Sequence, residues 1–156
     1  MEKIELICVG TVREPALKQL ISEYHKRLSR FCALNTCELS EYALKKESSA
    51  QISRALESEG AGILKRMDGY SITLCIEGKS MSSIDFSDFL ASKMLEHGRL
   101  NFIIGSSYGL SEAVKQKSNF KLSLSDMTFP HQLTRLLLLE QIYRAYKIRS
   151  NQKYNK

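Results

Sequence analysis

Five short segments of this chain carry apolar residues in runs or at alternate positions, and the stretches between them repeat apolar residues every three or four positions. This switching between strand and helix periods is the tightest constraint on the fold, because strands separated by helices build a largely parallel sheet. Residues 3–9 read as the first strand. Residues 14–31 follow as a helix, with Leu17, Leu20, Ile21, Tyr24, Leu28 and Phe31 at helical spacing and Pro15 in the first turn. A second strand over 34–42 precedes a polar helix over 48–67, which Asp68-Gly69 breaks. Residues 71–76 read as a strand ending in EGKS. Ser82 or Ser83 then caps a helix carrying Ile84, Phe86, Phe89, Leu90 and Met94, and Gly98 closes it. The unbroken apolar run 100–104 predicts a buried central strand. GSSYGLS leads to a short helix over 112–117, residues 120–124 make a last strand, and a long helix runs from Pro130 to about residue 148 before a polar tail. With 156 residues, no linker and no repeat, one α/β domain is expected.

At 43% hydrophobic and 26% charged, the composition is that of a chain able to bury a core. The longest apolar run, 136–139, is far short of a bilayer span, so no membrane is expected among the partners. The opening MEKIELICVG has no basic n-region or apolar h-region, which leads us to expect a cytoplasmic protein. Cys8, Cys32, Cys37 and Cys75 lack CxxC or Cys/His spacing and read as small buried hydrophobes. His25, His97 and His131 are scattered, so no metal is expected. His131 follows Pro130 at a helix start, where packing or capping competes with a catalytic role.

Ligands of open α/β sheets gather at the carboxyl ends of strands. Three segments there, EGKSMS, GSSYGL and SDMTFPH, couple an apolar strand to glycine or small hydroxyl residues and would let backbone approach a ligand closely. Each taken alone reads first as an ordinary turn, and it is their coincidence on one edge that points to a ligand. Neither G-x-G-x-x-G, nor G-x-x-x-x-G-K-[ST], nor G-x-S-x-G occurs, so dinucleotide, P-loop and hydrolase-elbow readings lack their cradle.

The formal charge of +6, from 23 basic and 17 acidic residues, is uneven. Residues 127–156 carry +5 and the first 126 carry +1, which points to an anionic partner for the C-terminal segment. Within it Glu140 and Arg144 are four apart on one helix face. The pair either supports the helix or presents a guanidinium fork to phosphate or a base carbonyl. Leu136, Leu137, Leu138, Leu139, Ile142, Tyr143 and Tyr146 make this helix apolar nearly all round, which suggests a homodimer interface.

LCIEGKSMSS, FIIGSSYGLS and above all LSLSDMTFPHQLTRLLLLEQIYRAYKI with the ending KYNK resemble the ribosomal RNA large subunit methyltransferase H family, within the SPOUT class. The likeness runs through essentially the whole chain, from IELICVGTVREP onward. It implies a SPOUT-type α/β fold over residues 1–156, with a trefoil knot in the C-terminal half, and a homodimer. The implied reaction is S-adenosylmethionine-dependent methylation of N3 of a pseudouridine in 23S rRNA on the assembled ribosome. It places the cofactor contacts on Leu74, Gly105 and the run Leu124, Ser125, Asp126, Met127, Thr128 and Phe129.

For that reaction, Arg144 is expected to steady the anionic base, with Glu140 orienting it and Tyr154 stacking on or hydrogen-bonding the target. Arg135, Lys147, Arg149, Lys153, Asn155 and Lys156 are the expected RNA contacts. Two positions depart from the family pattern. Ser106 stands where a second glycine is usual, and would tighten the loop if its backbone needed positive φ. Asn155 stands for a histidine and cannot titrate near neutrality. These departures keep one rival in view, a ribosome-binding module without turnover; a second, a SPOUT methyltransferase acting on tRNA as many others of the class do, is disfavoured by the small size of the chain.

Overall fold

The computed structural model describes residues 1–155. The elements are β1 (Glu2–Val9), α1 (Pro15–Leu28), β2 (Cys32–Leu39), α2 (Ser49–Leu64), β3 (Tyr70–Ser80), α3 (Ser83–His97), β4 (Arg99–Ile104), α4 (Glu112–Lys117), β5 (Phe120–Ser123) and α5 (His131–Arg149). All five strands join one sheet in the order β2-β1-β4-β3-β5, and every neighbouring pair is parallel. Alternation along β1 sends Leu6 and Cys8 into a core shared with α1, α3 and α5, and Ile7 and Val9 into a second core with α2 and α4. Both faces of the sheet are therefore covered, as the near-continuous apolar strands require.

Some boundaries differ from the sequence reading. α1 stops at Leu28, because the Ser29 hydroxyl donates to the Lys26 carbonyl and Phe31 turns away to stack on Tyr146 at 5.4 Å. β2 begins two residues early, at Cys32, the partner of Glu2 in the ladder, and ends at Leu39. β3 runs on to Ser80, so EGKS lies inside the strand and not after it. Leu74 and Lys79 both pair with Leu122, which leaves residues 75–78 bulged out of the ladder. Gly78 permits this, since a Cβ there would lie 2.7 Å from the backbone of Lys121 and Leu122.

α5 lies between α1 and α3 and over β4. It runs from the carboxyl edge of the sheet to the amino edge. At that end the Tyr146 hydroxyl donates to Glu2 at 2.6 Å, and Arg149 forks onto the same carboxylate at 2.9 and 3.1 Å. Its two helical neighbours account for much of the all-round apolar character. Leu133 and Leu137, on the stripe that also carries Glu140 and Arg144, remain partly accessible. The four cysteines are free, and burial pushes the Cys8 and Cys32 thiols up to about 11. No helix among the described residues is long and apolar enough to cross a membrane.

Candidate active site

A cleft of about 730 Å³ opens at the carboxyl ends of β3, β4 and β5. Leu74, Ile104, Leu122, Leu124 and Phe129 supply its apolar surface, and Gly105, Ser125, Met127 and Thr128 complete the sequence-derived set that lines it. Asp126 is the exception: it is exposed and does not line the cleft. Two local devices shape the walls. The Gly109 N–H donates to the Ser106 carbonyl at 2.9 Å, folding residues 105–110 so tightly that a Cβ on Gly105 would collide with the Gly109 carbonyl oxygen. In the other wall the Ser125 hydroxyl accepts from the Met127 N–H at 3.0 Å, and the Ser123 hydroxyl donates to the Ser125 carbonyl at 3.0 Å.

Ser106 does not take positive φ; among described non-glycine residues only Asn151 does. Its effect on the loop comes from its side chain, whose hydroxyl donates to Glu59 at 2.9 Å, while the other Glu59 oxygen accepts the Tyr42 N–H at 3.0 Å. Ser106 and Glu59 are both buried. Sequence reasoning missed Glu59, although it sits between Ala55 and Ile63 at four-residue spacing, on the buried stripe of a helix read as polar. His131 also lines the cleft, with Nε2 3.4 Å from Glu41; Pro130 stands at the N-cap position, and no side chain caps the helix. Across the cleft, Lys115 pairs with Glu77 at 2.5 Å, and that hydrogen bond holds the Glu77 carboxyl below its usual range.

The expected catalytic trio forms a separate cluster. Arg144 donates to Glu140 at 2.6 Å and lies 4.8 Å from the Tyr154 ring centroid, and the Tyr154 hydroxyl donates to Glu140 at 3.3 Å. Burial first, then hydrogen bonding with Tyr24 and Glu140, pushes the Tyr154 phenol up to about 12, so it is a donor at neutral pH. None of the three lines the cleft. Thr134 is the last residue of α5 to do so, and ten further residues carry Arg144 roughly 15 Å along the helix axis. Within one chain the guanidinium fork of Arg144 is therefore presented away from the cleft, because α5 runs away from that edge.

The basic segment is less free than its charge suggests. Arg135 is no freely exposed cation: it is 5% exposed and is held by donating to Glu38 at 2.7 Å and to the Gly10 carbonyl at 3.1 Å. Arg149 is held by Glu2, Lys147 by Gln152, and the Asn155 side-chain oxygen accepts from Arg144 at 3.2 Å. Lys153 is exposed, and Lys156 lies outside the described residues.

A doubly covered parallel sheet with a glycine-backed apolar cleft at its carboxyl edge defines an α/β domain built to hold a nucleoside-sized ligand. The chain belongs to the SPOUT methyltransferase family: the family described as "Predicted SPOUT methyltransferase" matches residues 2–155. It is 40% identical over 156 residues to the Ribosomal RNA large subunit methyltransferase H of Malacoplasma penetrans (strain HF-2), covering 99% of each chain. It is 42% identical over 157 residues to the protein of the same name from Clostridium botulinum (strain Kyoto / Type A2), covering 98% of this chain and 99% of the relative. A solved structure of a probable methylase family protein from Haemophilus influenzae Rd KW20 shares the fold with a TM-score of 0.60, at 13% identity, over 99% of this chain and 71% of that one. The family implies S-adenosylmethionine as methyl donor. The cleft suits it: the apolar walls can take an adenine ring, and at Gly105 no Cβ stands between ligand and backbone.

Proposed function

We propose that the chain methylates N3 of a pseudouridine in 23S rRNA, acting as a cytoplasmic homodimer on the assembled ribosome and without a metal. The observation that carries this reading is the convergence of Leu74, Gly105 and most of the run 124–129 on one cleft. When bound there, S-adenosylmethionine supplies a methyl group activated on a sulfonium. The chain's own residues then have two tasks, to hold the donor against these loops and to favour the deprotonated form of a weakly acidic imide. Arg144 performs the second task by placing a permanent positive charge beside the base, with Glu140 fixing its fork and the protonated Tyr154 offering a hydrogen bond. No strong protein base is required, so Asn155 is compatible with turnover.

The reading requires a second copy. The trio and the cleft stand at opposite ends of α5, and a homodimer apposing the partly accessible Leu133 and Leu137 stripe brings one protomer's trio to its partner's cleft. The trefoil knot that the family implies belongs to the same reading.

The test is incorporation of labelled methyl into ribosomes lacking the modification, with mass mapping of the product nucleotide. A single methylated pseudouridine in 23S rRNA is expected. No incorporation would favour a binding module without turnover, and methylation of tRNA instead would change the substrate. Arg144→Ala is expected to lower kcat by roughly a hundredfold with S-adenosylmethionine affinity unchanged. Undiminished turnover would remove Arg144 from the mechanism.

A further inference from the structure

We propose that a second, basic cleft on the same sheet edge binds a backbone phosphate of the RNA strand that carries the methyl acceptor; the RNA itself rests on the function proposed above. This cleft, of about 690 Å³, lies where β1 and β2 end, between α1 and the start of α5. Three cationic side chains, Arg13, Lys18 and Arg135, line it against one carboxylate, Glu38. The exposed Arg13 and Lys18 make none of the ion pairs found among the described residues, so their charge is available to a ligand.

The floor is built as firmly as the rim is open. Arg135 is anchored by Glu38 and the Gly10 carbonyl, and its Nε is buried with no acceptor. On α1, Lys18, Ser22 and His25 share one face, and His25 is fixed 3.3 Å from the Thr36 hydroxyl. An excess of donors and positive charge excludes a metal cation and favours an anion. Long, mobile cations on an open rim suit a phosphodiester that arrives as part of a larger molecule.

Position selects the RNA strand as the source. Thr134 lines the first cleft and Arg135, the next residue, lines the second, so the opening turn of α5 is the wall between them. The Arg13 N–H donates to the Gln132 side chain at 3.2 Å, fastening the basic loop to that wall. An RNA strand that places its base over the first cleft passes along this wall and sets a neighbouring phosphate into the second.

The test is ribosome binding and methyl transfer by a double variant, Arg13→Ala with Lys18→Ala. Ribosome affinity is expected to fall about tenfold at low salt, and the slope of log affinity against log salt to shrink by about 1. S-adenosylmethionine affinity, kcat and thermal unfolding should be unchanged, and the charge-conserving pair Arg13→Lys with Lys18→Arg should restore binding. Weakened ribosome binding supports the cleft even if the wild type proves to transfer no methyl group, an outcome that would overturn only the function. Undiminished affinity and salt slope in the double variant overturn the cleft, whatever the wild type methylates. So does a loss confined to binding of a mononucleotide 5′-phosphate, which would make the site one for a small phosphate.

Discussion

Glu2 begins β1 and accepts from both Tyr146 and Arg149 at the end of α5. The Arg149 hydrogen bond is the largest influence holding its carboxyl below the ordinary value. A carboxyl lowered in the folded state contributes stability in full above its unfolded pKa, and that contribution is lost as pH falls through the folded value. Thermal unfolding from about pH 5 downward should therefore show a steeper acid loss for the wild type than for Glu2→Gln. At the cleft, Glu59→Ala strands the buried Ser106 hydroxyl and the Tyr42 N–H. It should cost about 2 kcal/mol in chemical denaturation and weaken S-adenosylmethionine binding by calorimetry. The residue types were legible in the sequence, but their partners were not. Arg135 and Arg144 are nine residues apart, half a turn out of phase on a helix, so one faces the sheet when the other faces away.

Among the elements, the loop after β4 depends on a glycine with no room for a side chain. Gly105→Ala should abolish S-adenosylmethionine binding in calorimetry, with the far-ultraviolet dichroism of the folded sheet retained. β4, α4 and the Gly98 cap of α3 could be read from local pattern because each rests on a short, self-contained signal. The extension of β3 could not. Its register shift is set by the backbone of β5, about 45 residues further on, and becomes visible only once the two strands lie side by side.

For the whole molecule, opposite-end placement of trio and cleft in the proposed homodimer makes a prediction about mixtures. Gly105→Ala protomers, inactive alone, and Arg144→Ala protomers, nearly so, should regain about a quarter of wild-type methyl transfer when unfolded together and refolded. Half the random dimers are mixed, and each mixed dimer holds one intact site. No recovery would mean that each chain completes its own site. Salt should also weaken ribosome binding far more than S-adenosylmethionine binding, because counterion release accompanies only the first. The bulk asymmetry of charge suggested this division but misplaced part of it. Arg135, Arg144 and Arg149 are each paired with an acid, while Arg13 and Lys18 in the nearly balanced body make no ion pair among the described residues.

By itself the sequence determined the order of elements, the faces they bury and the loops that form the first cleft. Periodicity and turn chemistry act over a few residues and are written locally. Tertiary structure alone decided which charges are free, which acid holds which loop, and across which neighbours α5 is laid. The contacts responsible join Ser106 to Glu59, Arg135 to Glu38 and Arg149 to Glu2 across 47, 97 and 147 residues. Pairings at that range are set by how the sheet orders its strands and in which direction α5 crosses it, and no local spacing encodes either.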